Sequence, residues 1–211
     1  MPEPGRRVAA TRIALLELKD EQRLVQEGYS LLDEKRIVLA HEIQRQLRRL
    51  AALRREWAAL ASDARSRTLA ALGRHGLDEL SVYPPLSPAA DRVVVRRSRL
   101  LGLELLDAHL EISAPRPSQE QPVNPTPEAR ACANAHRNWL LRAVERATCE
   151  LNLRRLVADY VRTERRAKAI ENVLMPEIES SLKLIEEQLE AIDQEEIARL
   201  RRPPSPESFS P

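Results

Sequence analysis

Aromatic side chains are nearly missing from this sequence: Tyr29, Trp57, Tyr83, Trp139, Tyr160 and Phe209 are the only six in 211 residues. A rounded core of that length leans on large aromatics for buried area, so their scarcity disfavours a compact globule. Glycine is held to five (Gly5, Gly28, Gly73, Gly76, Gly102), with no G-x-x-x-x-G-K-[ST] run among them, which excludes a phosphate-cradling loop. The two cysteines, Cys132 and Cys149, stand seventeen apart, too far for a CxxC motif and too few for a disulfide framework, so a reducing compartment is the expectation. Long apolar runs are absent too. The longest stretch without Asp, Glu, Lys or Arg is the eleven residues from Leu80 to Ala90, three of them proline, whereas a membrane-spanning helix needs about 20 apolar residues. No direct membrane insertion is expected, and the basic start Met1 to Arg7 leads into no apolar signal core.

Site chemistry is equally thin. His41, His75, His109 and His136 have no second histidine at helical spacing, so no metal and no cofactor are expected. Acid pairs such as Glu186-Glu187 and Glu195-Glu196 belong to helix faces and lack the enclosed pocket that tunes a carboxylate for acid or base work. A net charge of +2, with almost no aromatics among the arginines, argues against a nucleic-acid partner. The chain reads as a non-enzyme.

What is present is the composition of long helices: 43% hydrophobic, 31% charged, and proline confined to particular places. None of the fifteen prolines falls between Gly5 and Tyr83 or between Glu128 and Met175, and eight crowd into Pro84 to Pro127. Because proline breaks helix interiors, two long helices must flank a broken middle. The divisions expected are a flexible N-terminus at 1–10, a first coiled-coil helix at 11–75 capped by Thr11, a Pro-rich middle at 76–127 with a short β-hairpin at about 92–112, a second helix at 128–202 kinked near Pro176, and a disordered tail at 203–211. Gly102 falls at the hairpin turn, and Thr126-Pro127 suits a helix start.

Leu18, Val25, Leu32 and Leu39 recur every seven residues, and Ile43, Leu47, Leu50, Leu53, Trp57 and Leu60 continue at three and four. Leu140, Val144, Ala147 and Leu151, then Ile170, Leu174, Ile178, Leu182, Ile185, Leu189 and Ile192, do the same in the second helix. Such seams need a partner along their whole length, and the matching helix of the same chain supplies one. The fold class expected is therefore all-α dominated: a long antiparallel two-helix coiled-coil hairpin with a short β-hairpin in the middle segment. Charge divides along it. Arg45 to Arg74 carries eight arginines against two acids, while Glu171 to Glu196 carries nine acids against Lys183 alone. A surface of one sign favours partners of the other. On these residues alone the hairpin could serve a scaffold, a stand-alone adaptor or a shaft.

Two blocks go further. The first is Thr11-Arg12-x-x-Leu15-Leu16-x-Leu18-Lys19 followed by Gly28-x-x-Leu31-Leu32-x-x-Lys35-Arg36. The second is Arg165-Arg166-x-x-Ala169-Ile170-Glu171-Asn172-x-x-Met175-Pro176-x-Ile178-Glu179, continuing through Glu186-Glu187 to Glu195-Glu196-x-x-Arg199-Leu200. Together they resemble the D subunits of the V-type and A-type rotary ATPases, the central-stalk rotors. The resemblance implies a non-catalytic shaft linking ATP hydrolysis or synthesis to proton or sodium transport. Its partners would be the nucleotide-binding A and B subunits, the F companion of the stalk and the C or d socket, at the cytoplasmic face of a prokaryotic cell membrane. Carried over, Thr11, Arg12, Leu15, Leu16, Leu18, Glu187, Glu195, Glu196 and Arg199 would lie inside the hexamer, with Gly28 and Pro176 as structural positions. Charge adds Arg54, Arg55, Arg154, Arg155 and Arg162 as a docking set for the stalk companion or the socket.

Overall fold

A computed structural model describes residues 11–81, 92–111 and 126–201. Helix α1 spans Arg12–Ser81, strands β1 and β2 span Arg92–Leu100 and Leu103–Glu111, helix α2 spans Pro127–Ala169, a π-helical turn covers Ile170–Leu174, and helix α3 spans Met175–Arg201. The chain is thus mostly helical with one two-stranded antiparallel sheet, the class expected from its sequence. The N-terminus at 1–10, residues 112–125 of the Pro-rich middle and the tail at 203–211 lie outside the described residues.

Local chemistry accounts for the ends. Thr11 Oγ1 accepts the Ala14 N–H at 3.1 Å and Thr126 Oγ1 accepts the Ala129 N–H at 3.4 Å, each satisfying a donor that a helix start leaves orphaned. Gly76, at φ 70 and ψ 176, interrupts α1 in a region that only glycine enters readily, and the helix then resumes to Ser81, beyond the end expected at 75. Leu101 and Gly102 both have positive φ, 49 and 84, as a two-residue hairpin turn requires. The register follows, from Leu100 opposite Leu103 to Arg92 opposite Glu111.

Contacts divide the chain into one unit drawn from Met1–Arg36 with Arg162–Pro211 and another from Ile37–Val161. In the second unit Leu39 of α1 and Leu156 of α2 are fully buried against Leu105 of β2, with Ile43, Leu100, Leu103 and Tyr160 around them. Each leucine contributes about 1.5–3 kcal/mol by leaving water. Leu50, Leu53 and Cys149 form a second cluster. Three leucines of this unit expected in the seam are instead exposed: Leu47, Leu140 and Leu151, at 49%, 48% and 40%. Polar residues have taken the inward places. Gln46 is buried, donating to Glu42 Oε1 at 2.8 Å and accepting the Cys149 thiol at 3.3 Å, and Asn152 is buried three residues beyond that cysteine.

Asn152 ties the hairpin to α2. Its Oδ1 accepts the Leu106 N–H at 2.9 Å and its Nδ2 donates to the Leu106 carbonyl at 2.6 Å, so one side-chain amide pairs with the outer edge of β2 as a neighbouring strand would. Arg155 adds a bond to the Glu104 carbonyl at 3.1 Å on the same edge.

In the first unit the start of α1 runs antiparallel to the end of α2 and to α3. Ion pairs join Arg36 to Glu164 at 3.0 Å, Lys19 to Glu186 at 2.9 Å and Arg12 to Asp193 at 3.4 Å. Ala14, Thr163, Ala167, Ile178, Leu182 and Ile185 are buried along it. Pro176 lacks the N–H that would bond to residue 172 and its ring would crowd that carbonyl. The preceding turn opens to the π form, with the Met175 N–H on the Ile170 carbonyl. The inward series therefore steps from Ile170 to Met175, and Leu174, expected in the seam, turns outward.

Candidate functional site

The residues singled out at the chain ends occupy the surface of the first unit. Thr11 is spent as a cap, Leu15 and Leu18 are half-buried, and Leu16 is 64% exposed. Glu187, Glu195, Glu196 and Arg199 are exposed, and Arg199 lies 3.6 Å from Glu195 one turn away on the same helix. Arg12 is brought to Asp193, a partner that sequence patterning does not mark. The whole of α3 from Glu190 to Arg201 is exposed, yet it retains Ile192, Ile197 and Leu200, and Ile13 of α1 is exposed as well. Ile13, Ile197 and Leu200 escape a seam-based reading because they fall off the seam; their signal is that they are apolar and left exposed by the described residues.

The five arginines fare differently from one another. Arg54 binds Glu150 at 3.2 Å, and Glu150 also receives Arg146 Nε at 3.2 Å. Hydrogen bonding from Arg54, with Arg146 adding to it, holds the Glu150 carboxyl below the usual glutamate range. Arg155 is engaged by β2, whereas Arg55 folds back onto the Ala51 carbonyl at 3.3 Å. Arg154 and Arg162 are exposed and form no ion pair among the described residues. Arg162 lies in the first unit and the other four in the second.

Beside Glu150 lies a cluster of aromatic groups. The Arg146 guanidinium sits 4.5 Å over the Trp57 ring, Trp57 lies 5.5 Å from Trp139, and His136 meets Trp139 edge-on at 6.1 Å. An open groove of about 620 Å³ borders it, lined by Glu56, Leu60, Leu141, Arg142 and Glu145 among others. Arg142 pairs with Glu145 three residues along α2 at 2.7 Å and with Glu56 of α1 at 3.4 Å, and those carboxylates raise its pKa further above the ordinary arginine value. The charged groups of the groove are thus committed to one another.

Elsewhere shifted groups have structural causes. Lys168, then Arg36, lower the Glu164 pKa, and burial raises that of the Cys149 thiol. His75 binds Thr126 at 2.6 Å and Glu79 at 3.3 Å, which locks the α2 cap to α1. Among the described residues no three His, Cys, Asp or Glu side chains gather as a metal site would require, and no helix is long and apolar enough to cross a membrane. Gly28 has open space where a Cβ would stand. The arrangement offers exposed surfaces rather than an enclosed pocket, and chemically it can bind.

Comparison with known proteins gives those surfaces a context. A family described as the D subunit of ATP synthase matches residues 14–203. The V-type ATP synthase D subunit of Thermotoga neapolitana is 27% identical, over 92% of this chain and 96% of the relative. That of Anaeromyxobacter dehalogenans is 30% identical over 93% and 95%, and the A-type ATP synthase D subunit of Thermococcus sibiricus is 26% identical over 93% and 92%.

Proposed function

This chain belongs to the family of ATP synthase D subunits, and on that premise we propose that it is the central rotor shaft of a V/A-type rotary ATPase. It is part of a membrane-associated, multi-subunit ATPase complex. In our reading it catalyses nothing itself. It turns inside the nucleotide-binding A and B subunits, carries the F companion of the stalk, and meets the C or d socket at the cytoplasmic face of a prokaryotic membrane, so that ATP hydrolysis or synthesis is coupled to proton or sodium movement.

One observation carries the reading beyond family membership. The last twelve described residues of α3 are all exposed, yet keep Ile192, Ile197 and Leu200 among their charged side chains. A helix end that no other described part of the chain buries, mixing apolar and charged side chains, suits a sleeve that surrounds it and against which it must slide as well as bind. Thr11, Arg12, Leu15, Leu16, Leu18, Glu187, Glu195, Glu196 and Arg199 would face that sleeve. The exposed arginines, Arg55 and Arg154 in one unit and Arg162 in the other, would favour acidic surfaces of the stalk companion or the socket. Gly28 would admit a neighbour rather than relieve crowding within the chain.

The test is stoichiometric. The chain, affinity-tagged within its middle segment and purified from its own cells, should return both kinds of nucleotide-binding protein in a constant ratio to itself and to each other. Recovery without them would overturn the reading.

A further inference from the structure

We infer that the free edge of β1 is a strand-addition site for an extended acidic segment of another protein. The two edges of this hairpin are treated in opposite ways. The Asn152 amide and the Arg155 guanidinium occupy the outer edge of β2 at Leu106 and Glu104. Because the Leu106 backbone points outward there, its register partner Arg97 must point outward on the far side, and alternation adds Val93, Val95 and Arg99. The backbone N–H and C=O groups of these four residues have no hydrogen-bond partner among the described residues. An open row of donors and acceptors on a strand is a template for another strand.

Its side chains say what kind. Arg92, Arg96, Arg97 and Arg99 place four positive charges in nine residues, and among the described residues only Arg97 has an acidic partner, Glu104 at 3.4 Å, across an exposed pair. A second copy of this chain pairing edge to edge would set arginine against arginine, so the charge that keeps two copies apart selects an acidic strand instead. Val93 and Val95 stand 49% and 47% exposed on the face they share with Arg97 and Arg99. An added strand would therefore carry β-branched residues opposite the valines and carboxylates opposite the arginines. The hairpin is already fixed to α2 through its other edge, so the ordering cost of docking falls on the incoming segment alone. None of this depends on the rotor reading.

A fluorescein-labelled nine-residue peptide, glutamate opposite each β1 arginine and valine opposite each β1 valine, titrated against the full chain by fluorescence anisotropy, tests the proposal. Binding should saturate. Methylating the peptide nitrogens that face β1, or making Val95→Pro, which removes one outward donor and no bond to β2, should weaken it by at least ~10-fold, and Arg97→Glu with Arg99→Glu should do so with a reduced salt dependence. Circular dichroism checks that each variant keeps its helix content, and the methylated peptide needs no variant at all. Absence of binding overturns the proposal. Equal affinity for the methylated peptide also overturns it, since arginines would then be attracting acid without a strand, as would self-association through β1 that the peptide cannot displace.

Discussion

Asn152→Ala should release the hairpin from α2, and the cost can be worked from the contacts. The side chain, 5% exposed, makes two bonds to one residue, 2.9 Å from the Leu106 N–H and 2.6 Å to the Leu106 carbonyl. Each is worth about 1 kcal/mol net, and a stranded buried backbone group costs about 1–3 kcal/mol, so a loss of about 2–4 kcal/mol follows if the edge rehydrates in part. Amide exchange at Leu106 reads it locally: a deficit of about 2 kcal/mol speeds exchange ~30-fold, while α1 near Ala14 stays protected. Asn152→Asp sharpens the test. Its carboxylate still accepts the Leu106 N–H but has lost the donor to the carbonyl. The protonated acid restores that donor, so the folded pKa lies above the unfolded one. The variant should thus be most stable below the ordinary aspartate pKa and lose stability as pH rises through the raised value, unlike the parent. Unchanged exchange at Leu106 in Asn152→Ala, or no recovery of Asn152→Asp in acid, would refute the role given to this amide.

Two further outcomes follow from charge and space. The Glu150 carboxyl is held low by Arg54 first and Arg146 after it, so its stabilising contribution is present above the ordinary glutamate pKa and is lost as pH falls through the lowered value; Arg54→Gln should move its NMR titration upward, and an unmoved midpoint would rule out that pairing in solution. Gly28 meets nothing within 4 Å of a built Cβ inside a continuous helix, so Gly28→Ala should stabilise the isolated chain by about 0.5–1 kcal/mol in urea denaturation, and destabilisation would mean that the position is crowded from within.

The places where this fold could be read from sequence are those where backbone chemistry leaves little choice. Absence of proline over long stretches marks the helices, Thr11 and Thr126 supply side-chain oxygens where N–H groups need them, and Gly102 sits at a turn requiring positive φ. Side-chain phase is harder. Apolar periodicity locates a seam only where the seam is apolar, and α2 turns Cys149 and Asn152 inward because Gln46 and β2 offer them partners. Those partners are about 50 to 100 residues away in sequence, so nothing local marks them. Arg155 groups with its charged neighbours in sequence for the same reason, although a distant carbonyl engages it. Pro176 announces a disturbance but not its form; a kink and an added residue both relieve a proline, and only the second moves Leu174 out and Met175 in.

That added residue sets a reading frame. Deleting any one of Ile170 to Leu174 would let the wide turn close to an ordinary one and leave Ile178, Leu182 and Ile185 on the face they now bury, whereas adding a second residue there would rotate everything after it by about 100° and carry them off it. Substitutions in α3 therefore act one side chain at a time, while a further insertion in the five residues before it edits all 27 residues of that helix together.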